Sequence, residues 1–224
     1  MPGPPHLLRG KNLAAIDDGV LEGIAFVGET LGPLFAEDPL TGDAGELYDA
    51  LAALDVPAAA QAWPFCDPSQ AECELRTLAQ GMGADRQELA DEYRRLFVGP
   101  GPKAAPPWGS VYTDHDRVMF GASALELHDW LSANGISVAA HDNMPDDSIG
   151  RMLKLMAWIA RMRPELLREY LGRHLLTWAP HFLQLMEREA HHPAFSALAR
   201  LTALSLQGIQ DTLDLNVIEP RFYR

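Results

Sequence analysis

The chain has 224 residues, 47% of them hydrophobic and 22% charged, which suffices for a sizeable core without disulfides and excludes wholesale disorder. Its net charge is −13, and residues 1–100 (6 basic, 17 acidic) carry −11 of it. That balance repels phosphate backbones and anionic bilayers, so nucleic acid and membrane surfaces are poor partners and a cationic partner is favoured.

Two cysteines, Cys66 and Cys73, are too few and too oddly spaced for a zinc knuckle or a disulfide framework. No apolar run approaches the roughly 18 residues of a membrane span. The start, Met1-Pro2-Gly3-Pro4-Pro5-His6, lacks a basic region followed by an apolar one. The expectation is a cytoplasmic-type chain without stable membrane insertion.

Helical periodicity dominates in chain order. Helices are expected at 13–31, 45–54, 69–80 and 85–97. Then Gly99-Pro100-Gly101-Pro102-Lys103-Ala104-Ala105-Pro106-Pro107-Trp108-Gly109-Ser110 breaks the pattern, with four prolines and three glycines in twelve residues. Because it ends in Trp-Gly-Ser-Val-Tyr, which must pack on something, the stretch 99–112 reads as an ordered loop rather than a linker. Ser123-x-x-Glu126 has capping-box spacing, and Gly135 stands where that helix stops.

In 146–162 the apolar residues Ile149, Met152, Leu153, Met156 and Ile159 form one stripe. Pro145 suits the first turn of this helix, with Asp146 and Asp147 at its positive end. Pro180 and Pro193 open two more helices, the second through 195–213. No period-2 strand emerges. The expected fold is all-α, a single compact helical domain over 1–224 with roughly ten helices.

Three His-Asp dipeptides, His115-Asp116, His128-Asp129 and His141-Asp142, raise a metal-dependent phosphohydrolase of the His-Asp type, with Asp211 as a distant ligand. Structural or surface roles are the simpler reading. No nucleophile elbow, P-loop, dinucleotide fingerprint or H-E-x-x-H is present. No catalytic residue, metal or cofactor is therefore expected. Arg94-Arg95-Leu96-Phe97-Val98 looks like the core of a twin-arginine export signal, yet it lies mid-chain with no apolar stretch after it. A helix end, favouring two cations, explains it.

Four segments stand out together: Tyr93-Arg94-Arg95-Leu96-Phe97-Val98-Gly99-Pro100 and Ala105-Pro106-Pro107-Trp108-Gly109-Ser110-Val111-Tyr112, then His174-Leu175-Leu176-Thr177-Trp178 and His192-Pro193-x-Phe195. Together they resemble the TorD/DmsD family of redox-enzyme maturation chaperones. The likeness runs from about Tyr93 to Ile209. It implies a helical, non-catalytic cytoplasmic chaperone, expected as a monomer. Such proteins bind the twin-arginine signal peptide of a molybdopterin-dependent reductase and delay export until the cofactor is inserted. The client implied is of the dimethyl sulfoxide reductase type or a different molybdoenzyme, with translocase components as further partners.

The family's peptide-binding positions fall on Leu96, Phe97, Pro107, Trp108, Pro145 and Asp147, with Tyr93 at a position that is tryptophan in the family. The family signature Glu-Pro-x-Asp-His reads Met144-Pro145-Asp146-Asp147-Ser148 here, so its leading Glu and trailing His are replaced. A twin-arginine peptide needs carboxylates for its guanidinium groups and an apolar surface for the rest. Asp146 and Asp147 are expected as exposed arginine partners, and Phe97 and Trp108 as apolar contacts.

Overall fold

The computed structural model describes residues 15–41, 43–99, 103–114, 120–137, 145–217 and 222. Aspartates begin the early helices: Asp17, Asp55, Asp67 and Asp85 each accept a hydrogen bond from a first-turn amide. Each satisfies a donor that the helix itself leaves open. The helices so started are α1 (Asp18–Ala36), α3 (Val56–Ala62), α4 (Pro68–Met82) and α5 (Arg86–Tyr93), with α2 (Gly45–Ala52) between the first two. Downstream lie α6 (Ser110–Thr113), α7 (Ala122–Ala133), α8 (Ile149–Met162), α9 (Leu167–Tyr170), α10 (Ala179–Glu189) and α11 (Pro193–Thr212). Prolines stand in the first turns of α10 and α11, as expected.

Among the described residues the only β-structure is one isolated bridge, Trp108 with Ser148, so the all-α expectation holds. The long expected helix at 85–97 instead changes pitch after Tyr93, becoming a π-turn over Arg94–Val98. Lys103 donates from Nζ to the Arg94 and Arg95 carbonyls (3.4 and 3.2 Å), the first of which also accepts from the Gly99 amide at 2.6 Å. Burial, with Arg95 nearby, holds the Lys103 ammonium below its ordinary pKa.

The two arginines are tied down. Arg94 grips Asp38 (Nε–Oδ2 2.7 Å) and Arg95 grips Glu92 (Nε–Oε2 2.6 Å), each through two nitrogens. Fixed ion pairs therefore accompany the helix-end explanation.

The capping box is not formed. Ser123 makes no side-chain cap; its amide is held instead by the Asp114 carboxylate at 3.2 Å, while Glu126 pairs with Arg173. The helix expected from 146 begins at Ile149, because 145–148 is occupied by a turn and the bridge.

Buried side chains from α1 through α11 form one contiguous cluster. At its centre Phe97 packs edge-on against Phe35, Tyr93 and Phe195 at 5.1–6.1 Å between ring centres. α1 is long and apolar enough to span a membrane by length and composition, which the run-length reading missed. Its apolar face is packed within the protein, where Ile24, Val27, Leu31 and Leu34 are fully buried.

α1 and α8 cross at unusually close range through small residues. A Cβ at Gly28 would collide with the Leu153 carbonyl oxygen, and one at Gly32 would lie 2.8 Å from Lys154 Cγ. Gly28→Ala therefore meets backbone that cannot yield, and overpacking of this kind costs about 1–3 kcal/mol. Gly45, at the start of α2, has open space around its Cβ position. Gly45→Ala should be neutral or stabilising by up to about 1 kcal/mol. The urea unfolding midpoint should fall for Gly28→Ala and stay level or rise for Gly45→Ala; a Gly28→Ala midpoint no lower than that of Gly45→Ala would remove the close-contact argument.

Candidate functional site

The proline-rich loop is fastened to the start of α8 first by two backbone hydrogen bonds. Gly109 N–H donates to the Asp147 carbonyl (3.1 Å) and Ile149 N–H donates to the Pro107 carbonyl (2.9 Å). Tyr112 closes the loop on itself, its hydroxyl donating to the Pro106 carbonyl at 2.7 Å. Its ring stacks on Trp178 at 6.0 Å and 12°. Gly109 lies flat against the Trp178 indole, where a Cβ would stand 2.7 Å from Nε1. That contact is the physical reason for glycine after Trp108.

Asp147 is the centre of this junction. Its Oδ2 accepts from the Ser110 amide at 2.7 Å, and the residue is 3% exposed. The expected exposed arginine partner is thus a buried clamp between two segments. Burial pushes its carboxyl pKa up, the Ser110 amide, the nearby Ser110 hydroxyl and its own amide pull it partly back, and the nearby Asp114 charge pushes the same way as burial.

Beside it opens a cavity of about 300 Å³, whose wall includes Asp147, Asp114, Glu126, Arg173, His174 and Trp178. Asp147 Oδ1 and His174 Nε2 are buried with no hydrogen-bond partner among the described residues; Ser110 Oγ, Trp108 Nε1 and Trp130 Nε1 are in the same condition. Such a concentration of unsatisfied polar atoms is uncommon in native interiors and calls for an explanation. Burial and the neighbouring Arg173 lower the His174 pKa, keeping the ring neutral near pH 7.

The other expected positions divide sharply. Tyr93, Leu96 and Phe97 are 2–4% exposed and belong to the core, so Phe97 does not present the surface expected of it. Pro107, Pro145 and Ser148 are buried at the bridge, while Trp108 is half-buried. Asp146 is half-buried between His128 Nδ1 (3.2 Å) and Arg151 Nη1 (3.6 Å), so it too is engaged within the chain.

Asp114, Glu126 and Arg173 were not anticipated. His174 and Trp178 belong to a quoted family block but carried no assigned role. No local pattern marks Asp114; its place depends on tertiary contact.

Among the described residues no group of three or more His, Cys, Asp or Glu is placed to hold a metal ion. His128 faces Asp146, and Asp211 accepts from Gln207. His115-Asp116, His141-Asp142, Asn143 and Met144 lie outside the described residues.

Residues 66–184 match the family described as "Nitrate reductase delta subunit". A protein of Haemophilus influenzae named "Probable Tat proofreading chaperone DmsD" is 38% identical over 91% of this chain and 98% of its own. The "Tat proofreading chaperone DmsD" of Salmonella typhi is 34% identical over 88% and 95%. A "Chaperone protein TorD" of Vibrio cholerae is 28% identical over 67% and 76%. The chain therefore belongs to the TorD/DmsD family of redox-enzyme maturation chaperones, which the nitrate reductase delta subunit model covers. The family is one of chaperones rather than catalysts, and the phosphohydrolase alternative is not favoured.

The raised Asp147 pKa has a definite sign. Where pH lies between the unfolded and folded values, the folded protein binds more protons, so this group adds stability as pH falls. Asp147→Asn keeps an oxygen for the Ser110 amide and removes the titration. As pH falls from neutral toward the ordinary carboxylate range, wild type should gain stability relative to Asp147→Asn in paired urea titrations. A difference that stays constant with pH would mean the carboxylate is not desolvated.

Proposed function

We propose that this chain is a cytoplasmic, monomeric chaperone that binds the twin-arginine signal peptide of a molybdopterin-dependent reductase catalytic subunit. In this reading the precursor, of the dimethyl sulfoxide reductase type, is held back from the translocase until its cofactor is inserted. The observation that carries the reading is the unpartnered Asp147 Oδ1 on the wall of a cavity shared with Asp114 and Glu126. A guanidinium supplies several N–H donors and a compensating positive charge to a carboxylate that otherwise lies desolvated. His174, neutral through burial, adds no repulsion. The relatives' names, which describe Tat proofreading, support the same class of ligand.

Geometry alters the recognition mode from the one expected. With Oδ2 committed to Ser110, Asp147 offers a guanidinium one oxygen, and the planar two-point fork is not available to it alone. Trp108, half-buried on the same bridge, offers an apolar surface, while Pro107, Pro145 and Ser148 hold the backbone that carries both. Tyr93, Leu96 and Phe97 act from below as positioning residues, through the turn that Lys103 caps. Asp146, shared with Arg151 and His128, contributes to the local negative field.

Titration with a twin-arginine peptide and its twin-lysine counterpart tests this assignment. A hydrogen bond to a charged group is worth about 1.5–3 kcal/mol, so Asp147→Asn should weaken twin-arginine binding by roughly ten- to a hundredfold. The preference over lysine should shrink with it, since ammonium lacks the guanidinium's fixed array of donors. Raising salt should lower affinity without abolishing it, because exposed charges are screened over about 8 Å at physiological ionic strength. Equal binding of both peptides by variant and wild type would move the arginine site elsewhere. Capture from cells expressing the tagged protein would identify the client.

A further inference from the structure

Two large apolar side chains stand exposed at the start of α7, Phe120 (56%) and Leu125 (59%). The same turn supplies Ala122, Ser123 and Glu126 to the cavity wall. Gly121 is the N-cap of α7, which makes Phe120 the residue before the cap and Leu125 the fourth helical residue. Those positions are brought together in a hydrophobic staple. A staple that covered itself would leave little of either residue in water, yet more than half of each remains exposed. Ala122, three residues before Leu125 and also exposed, extends the same apolar surface toward the cavity.

Two observations argue that this surface is held in place. Phe120 adopts φ +61°, a left-handed conformation rare for a bulky side chain and concentrated at ligand clamps. Asp114 accepts from Ser123 N–H with both carboxylate oxygens at 3.2 Å, and Gly121 lies against that carboxylate too closely to admit a Cβ. One acidic side chain of the cavity thus also anchors the turn that carries the apolar pair.

We infer that Phe120 and Leu125, with Ala122 between them and the cavity, form the docking face for the apolar stretch that follows the arginines of the bound peptide. The inference rests on the proposed peptide-receptor reading and deepens it. Complementarity selects the occupant: a cavity whose carboxylates Asp147, Asp114 and Glu126 outnumber its one arginine, Arg173, which is paired with Glu126, adjoins an apolar shoulder, in the sequence cation then hydrocarbon that such a peptide presents. Burying exposed aromatic and aliphatic side chains supplies affinity that the charges alone do not.

The test uses the full chain and two peptides, one with the arginine pair followed by its apolar stretch and one with that stretch replaced by serines. Wild type should prefer the first by about thirty-fold, the loss typical of truncating a contact hot spot. The variant Phe120→Ser/Leu125→Ser should bind both peptides equally, near the wild-type affinity for the serine peptide, with circular dichroism confirming an unchanged helical fold. Asp147→Asn should weaken both peptides while keeping the preference between them. A double-serine variant that retains the wild-type preference overturns the docking face and leaves the arginine cavity standing. Loss of a concentration-dependent dimer with the peptide preference intact would assign the patch to a second copy and overturn the inference likewise. If wild type binds neither peptide, the receptor reading falls and the docking face with it.

Discussion

Two backbone hydrogen bonds, from Gly109 to Asp147 and from Ile149 to Pro107, hold the candidate site together. They join the proline-rich loop to the start of α8, and Asp147 reinforces the join by accepting from the Ser110 amide 37 residues away. Without that join, Trp108 would have no fixed position and the Asp147 carboxylate no reason to leave water. Burying a carboxylate is costly unless its oxygens are bonded, and here one oxygen is bonded and the other is not. In the proposed function it is this imbalance that a ligand bearing N–H donors would relieve.

The uneven charge of the chain takes on a structural meaning once it is folded. Four aspartates of the first hundred residues are consumed as helix caps. Others pair with cations of the second half: Glu22 and Glu29 with Arg161, Glu37 with Lys154, and Glu74 with Arg200. The exposed pairs among these add little stability individually, whereas Glu74 is buried. They do complement the two halves of the chain across the α1–α8 and α4–α11 packings. Capping and pairing leave the net charge of −13 unchanged and only distribute it, so the long-range field remains negative while the field at the cavity is set by the carboxylates nearest to it.

The close α1–α8 crossing bears on the site as well. Gly28 and Gly32 let α1 lie directly on α8, fixing the helix whose first residue, Ile149, takes part in the bridge. The Arg94–Val98 turn does the same from the other side. Lys103 and the ion pairs of Arg94 and Arg95 determine where the proline-rich loop departs. The residues sharing the family likeness around Tyr93 are thereby mostly supports, with their aromatic rings in the core.

Local sequence determined the helical class, most helix starts and the irregular loop at 99–112, because capping aspartates, first-turn prolines and apolar periodicity act over a few residues. The sequence also carried the family likeness, through blocks of which those at 105–112 and 174–178 reach the cavity and those at 93–100 and 192–195 do not. It did not reveal that Asp147 is buried, that Phe97 is core, or that Asp114 caps α7 in place of Ser123. Nor did it single out Gly28 and Gly32 as contact points. Each of these depends on which distant segment arrives beside the residue, and a carboxylate after a proline looks the same in sequence whether it meets solvent or the Ser110 amide. Exposure, pKa and the unpartnered Asp147 oxygen were decided only by tertiary structure, because desolvation is a property of the packed surroundings and not of the residue.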